Sequence, residues 1–94
     1  MHHVLVRIKV EDYARWRPVF DELANLRTRF GSKGGHLFQK SDNPNEVVLL
    51  FEWDSLEKAR QYFQSEELRR GMQSAGVQGP PDVHYLSAGE KLSA

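Results

Sequence analysis

One stretch near the middle of the chain, residues 46–53, is apolar on two opposite sides. Its sequence EVVLLFEW is rich in β-branched and aromatic residues and contains no glycine or proline, which predicts a β-strand. Side chains alternate along a strand, so one face carries Val47, Leu49, Phe51 and Trp53. The other face carries Val48, Leu50 and Glu52. Because a sheet face that is open to water normally alternates apolar with polar residues, both faces of this strand need a cover.

Three further segments are predicted to be strands. Residues 3–10 alternate between two faces, and residues 36–41 and 82–86 are short β-prone runs. The sequence DNPN at residues 42–45 supplies the turn chemistry for a hairpin between the second strand and the central one. A loop rich in glycine and proline, residues 75–81, is predicted before the last strand.

The first helical region follows the first strand. Apolar residues spaced three or four apart predict a helix over residues 12–30, which Gly31 ends. Pro18 lies inside this pattern, and a proline removes one helical hydrogen bond. We therefore expect a kink there or a short 3₁₀ turn over residues 12–16. The glycine-rich residues 32–35 are predicted to form a loop.

The second helical region follows the central strand. Asp54 is expected to cap it, with Glu57 completing a capping box three residues later. Ser65 starts a new N-cap pattern, so the region is predicted to divide into residues 55–64 and 66–74.

The predicted order of elements is therefore β-α-β-β-α-β. With right-handed crossovers, this order predicts an α+β, ferredoxin-like βαββαβ fold, in which a four-stranded antiparallel sheet carries two helices on one face. A chain of 94 residues has room for one domain. We expect that domain to span residues 1–88 and to be followed by a C-terminal tail, residues 89–94.

Two helices can cover only one face of the sheet. The other face would carry Leu5, Val48, Leu50, either Leu37 or Phe38, and either Tyr85 or Leu86. Full burial of such a set contributes on the order of 10 kcal/mol as an upper bound, which is comparable to the stability of a small domain. A second copy of the chain is the expected cover, and the alternatives are an exposed patch or a tail that folds over it.

The expected partner is thus an identical subunit. The predicted dimer face contains Leu5, Arg7, Val48, Leu50 and Glu52. Arg7 and Glu52 would lie on neighbouring strands, where they either form an ion pair near the dimer seam or are separately solvated.

Composition limits the other partners. The chain has 13 basic and 13 acidic side chains, which argues against nucleic acid because nucleic-acid binding needs a clustered basic surface. It has no cysteine, and its four histidines lack metal-ligand spacing, so no metal site or cofactor is predicted. No apolar run approaches the roughly 20 residues that span a bilayer, and the N-terminal residues do not form a signal-peptide pattern. We expect a cytoplasmic protein with no membrane partner.

Motifs along nearly the whole chain are similar to those of one family. They are Asp12-Tyr13-x-x-Trp16-x-Pro18-x-Phe20, Asp42-x-Pro44-Asn45-x-Val47, Glu52-Trp53-Asp54-Ser55-Leu56-x-x-Ala59-Arg60 and Ser65-x-Glu67-Leu68-Arg69-x-x-Met72. The chain resembles the dimeric α+β barrel superfamily and, within it, small antibiotic-biosynthesis-monooxygenase-like proteins. The resemblance implies a homodimer whose two sheets face each other and a cavity between sheet and helices in each subunit. Members include cofactor-free quinone-forming monooxygenases, haem-degrading enzymes, polyketide cyclases and lactone isomerases.

Two histidines are the candidate catalytic residues. His36 begins a strand after a Gly-Gly pair, where its side chain could point into a pocket and transfer a proton. The alternative is a solvent-exposed histidine at a strand end. His84 is either a second polar group of that pocket or a residue at the edge of the sheet.

An aromatic set is predicted to line the pocket. It consists of Tyr13, Trp16, Phe20, Phe38, Phe51, Trp53 and Tyr62. These rings either hold a flat aromatic ligand or simply pack the core. The predicted function is that of a cofactor-independent monooxygenase, or a related proton-transfer enzyme, acting on a small aromatic or polyketide-like molecule. The alternative is a non-catalytic ligand-binding or stress-associated protein of the same fold.

Overall fold

The computed structural model describes residues 2–94 and confirms the α+β, ferredoxin-like fold. The four strands form one antiparallel sheet in the order β2-β3-β1-β4, and the helices pack on one of its faces. In chain order the elements are β1 (His2–Val10), α1 (Tyr13–Glu22), α2 (Ala24–Arg29), β2 (Ser32–Lys40), β3 (Asn43–Trp53), α3 (Leu56–Phe63), α4 (Glu66–Ser74) and β4 (Val77–Leu86).

The first helical region breaks at Leu23 and not at Pro18. α1 continues through Pro18, and the break falls where Leu23 adopts φ −83° and ψ 0°. The expected 3₁₀ turn over residues 12–16 was therefore wrong, and the helix is not interrupted at Pro18. The carbonyl that loses its donor to Pro18 belongs to Ala14, and both residues are exposed, so water can satisfy that carbonyl. Within residues 2–94, no helix is long and apolar enough to cross a membrane.

The second helical region divides at Ser65, as predicted. The Ser65 hydroxyl accepts a hydrogen bond from the Leu68 N–H at 3.3 Å and so caps α4. The cap of α3 differs from the prediction, because Ser55 and not Asp54 provides it by accepting from the Lys58 N–H at 3.1 Å. The backbone N–H of Asp54 is bonded instead to the carbonyl of Gly31, at 2.9 Å.

Two strands extend into segments that were predicted to be loops. β2 begins at Ser32, and β4 begins at Val77. Each extension passes through a shift in register, and a glycine with positive φ lies there: Gly34 at 99° and Gly79 at 73°. Glycine adopts such angles without steric cost, so these segments form bulged strand ends.

The core lies between the helices and one face of the sheet, which we call the covered face. From the strands it contains Val4, Val6, Ile8, Val10, Val47, Leu49, Phe51 and Trp53, and from the helices and their ends Trp16, Leu26, Ala59, Tyr62, Leu68 and Ala75. Trp53 is 1% exposed, and its indole N–H donates to the Phe30 carbonyl at 2.8 Å. This bond satisfies the one polar group that burial of the ring removes from water.

Candidate functional site

A narrow cavity of about 40 Å³ lies between the helices and the covered face. Its lining is almost wholly apolar and includes Trp16, Phe20, Leu49, Phe51, Tyr62, Phe63 and Met72. One water needs about 10–15 Å³, so the cavity has room for a few waters and by itself is too small for an aromatic ring.

A larger groove of about 220 Å³ runs beside it, along the edge strand β2. We call it the Arg27 groove, and its lining includes Arg17, Phe20, Arg27, Ser32, Gly34, Gly35, Leu37, Leu49 and Phe51. Three of these residues, Phe20, Leu49 and Phe51, also line the cavity. The two hollows are therefore neighbours that share a wall of aromatic rings.

Arg27 is a buried cation at the wall of this groove, only 8% exposed. Its guanidinium carbon lies 3.8 Å from the centre of the Phe20 ring and 5.9 Å from the centre of the Phe51 ring. Its Nη1 donates to the carbonyl oxygen of Phe20 at 2.9 Å, close to the C-terminal end of α1, where a positive charge is favourable. Among residues 2–94, no carboxylate forms an ion pair with Arg27.

Tyr62 is the polar group of the narrow cavity. It is 2% exposed, and burial raises the pKa of its hydroxyl, while the nearby Arg27 guanidinium partly opposes that rise. The hydroxyl therefore stays protonated at neutral pH and is a donor, not a base.

The structure brings together most of the predicted aromatic set. Trp16, Phe20, Phe51 and Tyr62 line the cavity. Tyr13 lies outside the lining and packs on Trp16, with ring centres 5.6 Å apart, whereas Trp53 packs behind Tyr62 at 5.4 Å. Phe38 does not join them, because it pairs with Val48 across β2 and β3, and it is 53% exposed on the opposite face of the sheet. The prediction that Phe38 lines this pocket does not fit that placement.

The two predicted catalytic histidines lie on that opposite face, which we call the open face. It carries Leu5, Arg7, His36, Phe38, Val48, Leu50, Glu52, Asp82, His84 and Leu86. Although His36 borders the Arg27 groove, its ring stacks on Phe38, with centres 6.2 Å apart. The His84 Nε2 lies 3.0 Å from a carboxylate oxygen of Asp82. A catalytic role for either histidine stays a prediction; for His84 it would place the reaction on the open face, whereas His36 lies at the border of the Arg27 groove.

The open face has an apolar centre with charged borders. Leu5 pairs with Leu50, and these two leucines lie between His84 and His36 in one row across the sheet. Arg7 does not pair with Glu52, because Val48 is opposite it, and its partner is Asp82 at 3.6 Å. Within residues 2–94, no group of three or more His, Asp and Glu side chains could hold a metal ion.

A known protein family matches most of this sequence. The sequence model of the family described as antibiotic biosynthesis monooxygenase matches residues 1–74. The chain belongs to this family. No curated protein matches the chain.

Solved structures similar to this antibiotic biosynthesis monooxygenase family member share its fold. A candidate antibiotic biosynthesis monooxygenase from Bordetella bronchiseptica is 18% identical, with 95% of this chain and 97% of that chain covered and a TM-score of 0.77. SnoaB, a cofactor-independent oxygenase from Streptomyces nogalater, is also 18% identical, with 99% and 97% covered and a TM-score of 0.76. A candidate monooxygenase of the same type from Caulobacter crescentus is 19% identical, with 95% and 90% covered and a TM-score of 0.73.

Arg27 was not among the site residues predicted from the sequence of this family member. The signal was present, because Arg27 follows Phe20 and Leu23 at helical spacing and precedes Phe30 at the same spacing. A charged residue on the apolar face of a helix is unusual unless it is paired. The burial of Arg27 and its lack of a carboxylate partner among residues 2–94 depend on the tertiary structure, so they cannot be read from the sequence.

Proposed function

We propose that the chain is a homodimeric, cofactor-independent oxygenase that acts on a small aromatic molecule held between the helices and the covered face. The observation that supports this best is the shared aromatic wall of the cavity and the Arg27 groove. Membership of the monooxygenase family and the fold shared with SnoaB, named as a cofactor-independent oxygenase, agree with it.

The reaction needs a substrate that supplies its own electrons. An anthrone-type substrate carries a CH₂ group that becomes strongly nucleophilic once deprotonated. With O₂, that CH₂ becomes C=O: one oxygen atom stays in the product, and the other leaves as water with the two hydrogen atoms. The protein supplies a dry, shaped site and stabilises the anion.

Size requires the two hollows to act together. Ligand pockets usually have about 300–1,000 Å³, and the cavity of about 40 Å³ and the groove of about 220 Å³ together approach the lower end of that range. Phe20 lies between them and is only half-buried. A rotation of its ring on substrate binding would join the two spaces.

The proposed homodimer uses the open face. That face exposes Phe38 by 53% and Leu86 by 42%, and its borders carry both signs of charge, with Arg7 and Lys9 near Asp82 and Glu46. A two-fold axis can therefore place acidic groups of one subunit against basic groups of the other. The molecule measures 34 × 32 × 19 Å, so its broad side can bury the roughly 800 Å² per partner of a standard interface.

Oxygen uptake with an anthrone-type substrate tests the oxygenase proposal. We expect consumption of O₂ and formation of the quinone, both well above the rates in buffer. Met72→Trp should abolish the increase because the larger side chain fills the cavity, whereas Gln73→Trp, on the exposed side of the same helix, should leave it unchanged. Rates equal to buffer with a panel of hydroxyanthrones and quinols would contradict the proposal.

A non-catalytic ligand-binding protein is the second candidate. One observation favours it: the lining of the narrow cavity contains no carboxylate and no imidazole that could take a proton from a substrate. In that case an aromatic ligand would bind with no O₂ uptake. The cytoplasmic location stays a prediction under both candidates.

A further inference from the structure

We propose that Arg27 is an anion-binding residue and that the ligand of this site is a planar aromatic molecule with an acidic oxygen, as a carboxylate, phenolate or enolate. The inference rests on the proposed location of the ligand between the helices and the covered face. It adds the chemical class of the ligand and the residue that recognises it.

Arg27 carries a buried positive charge. A buried cation is normally paired with a carboxylate, since an unpaired charge in an apolar surrounding is costly. Arg27 is 8% exposed and has no such partner within residues 2–94. Its hydrogen bond to the Phe20 carbonyl involves one of the five N–H donors of a guanidinium. The Tyr62 hydroxyl lies beside the same guanidinium, and the remaining N–H groups can donate to an oxygen anion.

The Arg27 groove gives access to the N–H donors of the guanidinium. Arg27 lines the groove of about 220 Å³, and Gly34 and Gly35 in the facing wall carry no side chains. A Cβ at Gly34 would meet no heavy atom within 4 Å, so the space beside Gly34 is open, whereas a Cβ at Gly35 would collide with the Leu50 carbonyl. An anion would therefore reach the guanidinium from the Gly34 side of the groove.

Two aromatic rings lie beside the Arg27 guanidinium. The guanidinium is stacked 3.8 Å from the centre of the Phe20 ring, and the Phe51 ring is the next aromatic surface, at 5.9 Å. Stacking holds the plane of the guanidinium in one orientation, and an oriented fork suits the two oxygens of a carboxylate. The same rings offer a flat apolar surface to the rest of the ligand.

The other cation of the groove is not available in this way. Arg17 is engaged by Asp21, its Nε lying 3.0 Å from the carboxylate, and it also donates to the Tyr13 hydroxyl at 3.2 Å. Arg17 is exposed, so it contributes at most long-range attraction that salt would screen.

A pair of isosteric probes tests the inference on the unmodified chain. We expect 2-naphthoate to bind in titration calorimetry at pH 7.5 and neutral 2-naphthamide to bind at least about tenfold more weakly, because the amide lacks the charge-assisted bonds to the guanidinium. Equal affinities, or no binding of 2-naphthoate at millimolar concentration, would overturn the inference.

Variants assign the effect to Arg27. Arg27→Met should keep the fold, since an apolar side chain of similar length replaces a buried charge, and should reduce the affinity for 2-naphthoate to that for the amide. Arg27→Lys should retain part of the preference for the anion, and Arg29→Met, an exposed position on the same helix, should leave it unchanged. Unchanged naphthoate binding by a folded Arg27→Met variant would show that the anion binds elsewhere.

The probe also separates this inference from the oxygenase proposal, because 2-naphthoate is not oxidised by O₂ under these conditions. Binding of the anion without any anthrone oxidation would reject the oxygenase and leave the anion site intact. Anthrone oxidation that is unaffected by Arg27→Met would support the oxygenase and reject Arg27 as the residue that recognises its substrate.

Discussion

The two faces of the sheet receive side chains from the same strands, yet one face is buried and the other is exposed to solvent. On the covered face, Val4, Val47 and Trp53 are at most 1% exposed. On the open face, Phe38 and Leu86 keep 53% and 42% of their surface in water. The only difference between two neighbouring residues of β3, such as Leu49 and Leu50, is the side to which the pleat turns them.

This comparison shows how position along a strand decides chemistry. All the proposed proton-transfer histidines fall on the open face, because His36 is paired with Leu50 and His84 with Leu5. The covered face receives rings and one cation, Arg27. A reaction on the covered side would therefore rely on electrostatic stabilisation by Arg27, with His36 at the border of the groove as the nearer of the two histidines.

Trp53→Ala should give the largest effect, because it deletes a ring from the covered face. We expect a loss of about 3–5 kcal/mol in the free energy of unfolding, at every protein concentration. Urea denaturation monitored by circular dichroism measures it. Phe38→Ala is the matched change on the open face and should cost the isolated subunit less than about 0.5 kcal/mol. Similar losses for both would remove the distinction between the faces.

Leu50→Asp should act on association and not on the core. It places a carboxylate in the apolar centre of the proposed interface, so the dissociation constant should rise at least about a hundredfold. Sedimentation equilibrium at micromolar concentration should show a dimer for the wild type and a 10.9 kDa monomer for the variant. Lys58→Asp, on a helix surface, is the control that should stay dimeric. A monomeric wild type would end the interpretation of the open face as an interface.

Gly35→Ala should destabilise the covered side of β2. A Cβ there would collide with the Leu50 carbonyl and lie 2.8 Å from the Phe51 Cα, so the strands would have to separate. We expect a loss of about 1–3 kcal/mol in thermal unfolding. Gly89→Ala is the control, because its nearest heavy-atom contact would be an ordinary 3.6 Å, to His3. No difference between the two variants would mean that the strands can adjust freely.

Glu66 should give the smallest effect, on the helix surface away from both faces. A hydrogen bond from Arg69 lowers the pKa of the Glu66 carboxyl below its ordinary value. Its contribution to stability is therefore present above the unfolded pKa and is lost as pH falls through the lower folded pKa. Carbon-detected NMR titration should show the lowered pKa, and Arg69→Gln should return it toward the ordinary value. No change in that variant would mean that Arg69 is not the cause.

Much of the fold could be predicted because local rules and burial agreed. The apolar strand 46–53, the Ser65 cap and the order of elements all depend on neighbours in sequence. The errors arose where the surroundings override local preference. The helix continues through Pro18 because the Ala14 carbonyl that loses its donor is exposed to water, and residues 32–35 join β2 because β3 lies beside them. Neither the exposure of the Ala14 carbonyl nor the pairing of residues 32–35 with β3 can be read from a local pattern of residues.

The candidate site was less predictable. Trp16, Phe20, Phe51 and Tyr62 were assigned to the pocket because aromatic residues at these spacings face the core. The face of the sheet to which His36 belongs could not be assigned until its pairing with Leu50 was known. A shift of one residue in that register would have turned its ring to the other face.

The sequence alone determined that this chain has a sheet with two apolar faces and helices for only one of them. This follows from alternation and periodicity, which are properties of neighbouring residues. Only the tertiary structure decided that three of the histidines face away from the core and that Arg27 is buried beside Phe20 without a carboxylate. Strand register and the absence of a partner depend on residues distant in sequence, because they are set by how whole elements pack.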